Sequence, residues 1–264
     1  NATLGISFLN GFAPDFGDSF IIIENDGVDA NQGTFAGLAE GAQFVAAGRA
    51  FTISYEGGDG NDVVITAIQA VITGTDGNDL VSATNTVFGQ LPATDGADII
   101  YGLGGNDNLS GIAGDDEIYG GSGKDKLYGG DGNDTVSGGS GKDKLHGGNG
   151  NDSLHGGKGK DKLYGNAGDD LLDGGKGKNK LIGGDGADSF QFSSELKKKH
   201  FDKIVDFTHG EDRILLAQDI FTKLGPVGVL GEDHFTIGKH AKGKDAQIVY
   251  DRKAGTLTYD KNGS

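Results

Sequence analysis

Apolar residues recur every nine positions along the middle of the chain. From Gly102 to Gln191 the sequence divides without insertion into ten nonapeptides, with an apolar eighth position between mostly polar seventh and ninth positions. This alternation predicts a three-residue strand with one buried side chain at the end of each repeat. The predicted core positions are Leu109, Ile118, Leu127, Val136, Leu145, Leu154, Leu163, Leu172, Leu181 and Phe190.

The first six positions of each repeat predict a tight turn. The consensus is GGxGxDxUx, where U is apolar, so each turn carries several glycines and one fixed carboxylate. A single unit buries one side chain and cannot be stable alone, so the repeats must stack. Two consecutive units, with two turns and two strands, make one coil. Stacked coils would form two parallel sheets with the eighth-position side chains between them.

Composition supports this interpretation and excludes several others. The 264 residues include 51 Gly, 3 Pro and no Cys, with 39 acidic against 23 basic residues and a net charge of −16. Collagen would need Gly at every third residue and much Pro. The acidic charge argues against nucleic-acid binding, and no apolar run approaches the roughly 18 residues of a membrane span. The chain begins with Asn without a signal-like stretch, so we expect it to be part of a longer protein.

The sixth-position carboxylates indicate a cation site. Stacking at the ~4.8 Å strand spacing places them in a column, where neighbouring charges repel by roughly 1 kcal/mol even in water. Ca²⁺ suits such a column because it accepts about six to eight oxygens from carboxylates and backbone carbonyls. Transition metals would favour His or Cys ligands, which these turns lack. The predicted carboxylate ligands are Asp107, Asp116, Asp125, Asp134, Asp143, Asp152, Asp161, Asp170 and Asp188.

The nonapeptide resembles the RTX family, the haemolysin-type calcium-binding repeats of secreted bacterial proteins. The resemblance implies an all-β fold, a right-handed parallel β-roll with calcium ions in the turns between successive coils. It also adds backbone oxygens from the same turns, which we assign to the first and third positions. These residues are Gly102, Gly104, Gly111, Ala113, Gly120, Ser122, Gly129, Asp131, Gly138, Ser140, Gly147, Asn149, Gly156, Lys158, Gly165, Ala167, Gly183 and Asp185.

Alternate repeats share one edge of the predicted roll, and the two edges differ in charge. The repeats that begin at Gly102, Gly120, Gly138, Gly156 and Gly174 hold ten lysines, whereas the others have none and add six acidic residues. We call these the lysine-rich edge and the acidic edge. Our hypothesis is that the acidic edge binds calcium more tightly, since nearby Lys weakens cation attraction. The alternative is that the lysines only limit net charge and aid solubility.

Several repeats depart from the consensus. Asn179 replaces the carboxylate in the last turn of the lysine-rich edge, so we expect that site to be weakened. A degenerate copy at 93–101 keeps Asp98, which we add to the predicted ligands, and partial copies from Gly74 and Gly57 keep Asp79 and Asp62. The gaps between turns then allow about eight to nine calcium ions in the roll.

The flanks predict two further β-rich parts. Residues 1–72 form a predicted N-terminal β module, 73–191 the roll, and 192–264 a C-terminal β-rich cap. The segment 201–216 resembles the stretch that follows the roll in serralysin-type proteases and related RTX proteins. The last residues predict a hairpin around Ala254 and Gly255.

No catalytic or organic-cofactor residue is predicted, so this chain is not expected to be an enzyme. The six histidines form no HExxH motif and no G-x-S-x-G elbow occurs. Segments around Ser19, Asp107 and His209 follow the order of blocks in GDSL-type esterases, but the α/β fold of those enzymes has no room for ten β nonapeptides.

Together these features predict a calcium-dependent folding module of a secreted protein. Its predicted partners are calcium ions and the type I secretion machinery, its location is extracellular or the bacterial cell surface, and a surface or host ligand stays unidentified. The absence of Cys fits an exported protein that uses metal ions instead of disulfides. Two alternatives remain open: a rigid spacer or adhesion segment of a large surface protein, and the C-terminal part of a secreted protease or lipase whose catalytic domain lies upstream.

Overall fold

The structure is a computed structural model of the 264-residue chain. It describes residues 4, 6, 14, 16–23, 35, 38–57, 62–87, 90–194, 202–222, 224, 235–237, 247–251 and 256–260. These residues contain strands and turns but no helix, and therefore no helix that could cross a membrane.

The N-terminal part forms a four-stranded antiparallel sheet in the order β1-β4-β3-β2. Its strands are β1 (Ser19–Ile23), β2 (Gln43–Ala46), β3 (Arg49–Gly57) and β4 (Asp62–Ile68). Alternating residues of β3 and β4 form one buried cluster, because successive side chains of a strand point to opposite faces. That cluster contains Phe51, Ile53, Val63, Ile65 and Ala67.

Two parallel sheets form the middle of the molecule. The first sheet contains β5 (Ala70–Thr73), β7 (Asp98–Tyr101), β8 (Gly104–Gly105), β10 (Glu117–Gly123), β12 (Thr135–Gly141), β14 (Ser153–His155), β15 (Lys158–Gly159), β17 (Leu171–Asp173), β18 (Lys176–Gly177), β20 (Ser189–Phe192) and β22 (Arg213–Leu216). The second sheet contains β6 (Leu80–Val81), β9 (Asn108–Ala113), β11 (Lys126–Asp131), β13 (Lys144–Asn149), β16 (Lys162–Ala167), β19 (Lys180–Asp185) and β21 (Lys203–Ile204).

The strand register confirms the stacked coils. Leu127 pairs with Leu145 in the second sheet, and Ile118 with Val136 in the first, so each residue lies beside its equivalent two repeats further along the chain. All ten eighth-position side chains are at most 1 % exposed and form one core between the sheets. The protein is therefore an all-β parallel β-roll.

The roll extends past both borders that the sequence predicted for it. β5 begins at Ala70, and the flank after residue 191 contributes β21 and β22, which pair with β19 and β20. The flank thus adds a further coil before any separate cap begins. The division into three domains stays a prediction.

The last described strands form a separate small sheet. β23 (Phe235–Ile237) pairs parallel with β24 (Gln247–Asp251), which pairs antiparallel with β25 (Thr256–Asp260). The tip of the predicted hairpin, Ala254 and Gly255, lies outside the described residues. So do residues 58–61 of the partial repeat that begins at Gly57.

Candidate metal centres

The sixth-position carboxylates point into the roll. They precede the eighth-position core residues by two positions, so both sets lie on the same face of a strand. All ten predicted Asp ligands are at most 2 % exposed. Each turn therefore places a carboxylate at the rim of the hydrophobic core, where an uncompensated charge is costly.

One oxygen of each carboxylate links neighbouring coils. The backbone N–H of Asp98 donates to Oδ1 of Asp116 at 2.7 Å, and the backbone N–H of Asp116 donates to Oδ1 of Asp134 at 2.8 Å. The same bond repeats along both edges of the roll. The acidic-edge column is Asp98, Asp116, Asp134, Asp152, Asp170, Asp188 and Asp212. The lysine-edge column is Asp79, Asp107, Asp125, Asp143, Asp161, Asn179 and Asp202.

The other oxygen is left without a partner in the interior turns. Within the described part of the chain, eight buried side-chain oxygens accept no hydrogen bond, and all eight are Oδ2 of a sixth-position Asp. An unsatisfied buried oxygen of this kind is strongly unfavourable, more so when it carries charge. These atoms belong to Asp107, Asp116, Asp125, Asp134, Asp143, Asp152, Asp161 and Asp170.

The first glycine of each turn faces this oxygen. A Cβ built on Gly120 would lie 2.7 Å from Oδ2 of Asp125 and 2.9 Å from the carbonyl oxygen of Gly138 in the next coil. At Gly138 the corresponding distances to Asp143 Oδ2 and the Gly156 carbonyl oxygen are both 2.8 Å. Glycine is therefore required here because a carboxylate and a carbonyl oxygen occupy the space that a side chain would need.

This donor set fits calcium. Among the described residues no three His, Asp or Glu side chains converge on one point. The oxygens that do lie close together are a carboxylate Oδ2 and backbone carbonyl oxygens, a combination that Ca²⁺ accepts. A bound Ca²⁺ would supply the positive charge that the buried Oδ2 atoms lack. The first-position residues are all buried beside those atoms. That particular first- and third-position backbone oxygens are calcium ligands stays a prediction.

Burial raises the pKa values of these carboxyl groups. The pKa of Asp116 is raised to about 8, and those of Asp143, Asp152 and Asp170 to about 7. The pKa values of Asp98, Asp107, Asp134 and Asp161 are raised to about 6, and those of Asp125 and Asp188 are also raised. Without a cation, the folded roll therefore favours protonated carboxyl groups.

The turns near the ends of the roll satisfy their carboxylates differently. Oδ2 of Asp98 accepts the backbone N–H of Thr94 at 2.6 Å, and Oδ2 of Asp212 accepts that of Thr208 at 2.7 Å. Asp79 accepts the backbone N–H of Thr75 in the same way. Each of these turns has Thr at its second position, where most interior turns have Gly. The protein itself thus supplies the partner that the interior turns lack.

Sequence reasoning missed the coil that contains Asp202 and Asp212. Both residues continue the columns, and Ile204 pairs with Leu181 as an eighth-position residue. The signal was present, because Phe207–Leu215 reads FTHGEDRIL, a degenerate nonapeptide with Asp212 at its sixth position. Its first position is Phe instead of Gly, which hid the register.

The two edges also differ in their fifth positions. On the acidic edge the backbone N–H of Asn133 donates to Oδ1 of Asp115 at 2.7 Å, and that of Asn151 donates to Oδ1 of Asn133 at 2.8 Å. Asp169 extends this outer ladder, and its own Oδ1 accepts the N–H of Ala187. On the lysine-rich edge the backbone N–H groups of Asn106 and Lys124 donate in the same way to Oδ1 of Asn78 and Asn106. The ladder ends at Lys124, because a lysine side chain cannot accept a hydrogen bond.

The residues of the esterase-like pattern serve other contacts. Ser19 Oγ lies 2.8 Å from Thr66 Oγ1, its partner across β1 and β4. His209 is exposed in the turn before β22. Asp107 belongs to the lysine-edge column.

The comparison with protein families agrees with the repeat pattern. The family model of the RTX calcium-binding nonapeptide repeat matches in four copies, at residues 92–127, 110–145, 128–163 and 155–190. The solution structure of the AlgE6R3 subunit from the Azotobacter vinelandii mannuronan C5-epimerase is 33 % identical over 46 % of this chain and 68 % of that chain, with a TM-score of 0.32. No curated protein matches the chain.

Proposed function

Because residues 92–190 belong to the RTX calcium-binding nonapeptide repeat family, we propose that the chain is a module of a secreted bacterial protein that stays unfolded without calcium and folds on binding Ca²⁺ after type I secretion. The repeat roll itself is a structural calcium-binding module. Secretion and coupled folding are the parts that need testing.

The observation that carries this proposal is the set of eight buried, unpartnered Oδ2 atoms. A calcium-free roll at neutral pH must either bury these charges or protonate them, and both oppose folding. Calcium bound only by the folded roll would shift the equilibrium toward the fold in proportion to its concentration and affinity. Low cytosolic calcium would therefore keep the chain in a form that passes an export channel.

Circular dichroism and small-angle X-ray scattering test the coupled folding. We expect little β signal and a large radius of gyration in calcium-free buffer, and a compact β-rich protein in millimolar calcium. Unchanged spectra and radius between the two conditions would disprove the folding proposal. Export is tested separately, by detecting the chain in the medium of cells with a type I export complex and its retention when that complex is deleted.

A matched pair of triple variants separates the ligand column from general charge effects. Asp134→Asn, Asp143→Asn and Asp152→Asn remove three inner carboxylates, and we expect them to raise the calcium midpoint of folding about tenfold or more. Asp115→Asn, Glu117→Gln and Asp169→Asn remove the same charge from exposed positions outside the predicted ligand set and should change the midpoint much less. Equal shifts for the two triples would contradict the proposed ligand column.

The spacer function is a second candidate, favoured by the joint between the N-terminal sheet and the roll. The backbone N–H of Asp95, in the first turn of the acidic edge, donates to the carbonyl oxygen of Gly48 at 2.6 Å. A rigid spacer would keep this joint in solution. Spin labels on Gln43 and Ser137 should then give one narrow distance distribution in calcium, whereas a broad one would count against the spacer.

A further inference from the structure

The ten lysines of the repeats occupy two different surfaces. Four lie at the fifth position in the turns and two at the third position in β15 and β18 of the first sheet, all on the lysine-rich edge, and four lie at the seventh position on strands of the second sheet. The seventh-position lysines pair in register with one another, and Lys203 of the flank extends the row. We call this row the lysine face; it consists of Lys126, Lys144, Lys162, Lys180 and Lys203.

The lysine face carries no carboxylate at the seventh and ninth positions of its strands. At the seventh and ninth repeat positions its strands otherwise carry Asn, Ser, Tyr, His, Ile and Val. The exposed carboxylates of the same sheet, Asp131 and Asp185, lie at the third position, at the far ends of β11 and β19. In the described part of the chain, none of its five lysines lies within ion-pair distance of an acidic side chain. The outer face of the first sheet differs, because it includes Glu117 and Asp173. A chain of net charge −16 thus keeps a row of five lysines with no carboxylate at the neighbouring seventh and ninth positions of the sheet.

A row of stacked rings runs beside the lysines. The ring centroids of Tyr128 and His146 are 5.1 Å apart, those of His146 and Tyr164 are 4.5 Å apart, and the planes are within 10° of parallel. The rings cover one another's faces, so the stack presents polar ring edges outward. The face therefore offers a fixed row of ammonium groups beside a row of hydroxyl and imidazole groups.

We propose that the lysine face binds a polyuronate, an acidic polysaccharide with one carboxylate on each sugar, lying across the strands. Neighbouring lysines are separated by one strand spacing of ~4.8 Å, which is close to the rise of one sugar in an extended chain. Because successive sugars of an extended 1,4-linked chain face opposite sides, the carboxylates of alternate sugars would meet the ammonium groups of alternate strands. The sugar hydroxyl groups would meet Tyr128, His146 and Tyr164.

The geometry favours a polysaccharide over other anionic partners. Single-stranded nucleic acids gain affinity by stacking bases on exposed ring faces, and in this stack the faces of His146 are covered on both sides. An anionic membrane surface is bound most strongly when apolar side chains insert as well. Tyr128, His146 and Tyr164 instead present polar groups at the centre of the face.

Calcium binding and this surface are linked through the fold. The roll between residues 73 and 191 has 19 carboxylates and 10 lysines, a net charge of −9. Five bound Ca²⁺ ions would add ten charges and bring it to about +1. The lysine face exists only in the stacked roll, so polyuronate binding depends on folding but uses none of the proposed calcium ligands.

Fluorescence anisotropy with labelled, short oligogalacturonate, which does not gel, tests the proposal on the full calcium-loaded chain. The face variant removes the central lysines of the lysine face by Lys126→Ser, Lys144→Ser and Lys162→Ser. Serine is chosen because the same repeat position already holds Ser153 and Ser189 in other repeats. The control is Lys124→Asn, Lys142→Asn and Lys160→Asn, which removes the same charge at the edge, where Asn133 and Asn151 show that Asn is accepted.

We expect the wild-type chain and the edge variant to bind with affinities within about threefold, and the face variant to lose about tenfold or more. Circular dichroism in calcium confirms that both variants fold, and if the face triple does not, the single Lys144→Ser variant replaces it. The proposal is overturned by equal losses in both variants, by no binding of oligogalacturonate, or by tighter binding of single-stranded DNA or anionic vesicles. This experiment measures ligand binding by the calcium-loaded chain. Its outcome therefore does not depend on whether the calcium-free chain is unfolded.

Discussion

The side-chain amide of Asn179 donates a hydrogen bond of 2.8 Å to the carbonyl oxygen of Gly174, the first residue of its own turn. It also donates to Oδ1 of Asp202 in the next coil at 2.9 Å. In the neighbouring turn of the same column, Oδ2 of Asp161 has no partner. The hydrogen bonds of the Asn179 amide thus stabilise the oxygens that a bound cation would stabilise in the other turns. Protein groups alone satisfy this turn.

Asn179→Asp should therefore create a calcium site. The substitution replaces a donor by a carboxylate oxygen facing the Gly174 carbonyl and Asp202, and we expect one additional bound ion and a steeper calcium dependence of folding. Isothermal titration calorimetry measures the stoichiometry. Asn133→Asp is the control, because it makes the same chemical change at a fifth position, outside the inner column; a similar gain there would contradict the prediction.

The two edges should differ in calcium affinity. Asp143 lies between exposed Lys142 and Lys144, whereas Asp152 on the acidic edge lies between Asn151 and Ser153. Positive neighbours weaken attraction for a cation, so Asp152→Ala should cost about three- to tenfold more calcium affinity than Asp143→Ala. Calcium titrations followed by circular dichroism compare them. Equal losses would leave the lysines with a solubility role only.

The calcium-free chain should become more folded as the pH falls. Burial raises the pKa of Asp116 to about 8 and those of Asp143, Asp152 and Asp170 to about 7 in the folded roll, above the ordinary value of 3.8. A raised folded-state pKa gives stability that is present at low pH and is lost as the pH rises through the folded-state value. Without calcium, β content should therefore increase as the pH is lowered from about 8 to about 5.

The pH dependence should reverse with calcium present. Protons compete with the ion for the same Oδ2 atoms, so the calcium midpoint should rise as the pH falls. Circular dichroism in buffers freed of calcium by a resin avoids the pH dependence of soluble chelators. If the β content of the calcium-free chain does not change with pH in this range, the carboxylates are not buried and unpaired in the folded roll.

The first-position glycines should not tolerate a methyl group. At Gly120 an added Cβ would lie 2.7 Å from Asp125 Oδ2, so Gly120→Ala must displace the carboxylate or the next coil. We expect a loss of about 1–3 kcal/mol in the free energy of unfolding in calcium, measured by urea denaturation. Gly77→Ala is the control, because its Cβ would meet only Thr75 Oγ1 at 3.4 Å. An equally stable Gly120→Ala protein would rule out this close packing.

The sequence was sufficient for the parts of the fold that repeat. A period of nine with a fixed eighth position predicted the core and the stacking, since each repeat meets the same neighbours. It was not sufficient where the consensus lapses. The coil that contains Asp202 and Asp212 has almost no Gly. The second-position Thr residues reach Oδ2 of Asp98 and Asp212 through backbone N–H groups, which any residue type except Pro possesses, although Thr94 also donates its hydroxyl to Oδ1 of Asp98.

The division of the lysines was hidden for a different reason. Lys124 and Lys126 are two residues apart and look equivalent in the repeat, but one belongs to a turn and the other to a strand. Only the position of the strand boundary shows that Lys124 belongs to the lysine-rich edge and Lys126 to the lysine face. The stacking of Tyr128, His146 and Tyr164 likewise follows from the pairing of each strand with the strand two repeats later.

The alternation of two unlike edges restricts how such a chain can change in length. Deleting two consecutive repeats removes one complete coil, and every later residue keeps its edge, its column and its sheet. Deleting a single repeat leaves each turn intact but moves every later turn to the opposite edge. Lysines would then enter the acidic edge, and the lysine face would be split between two sheets. Lineages of this roll should therefore gain and lose repeats in pairs.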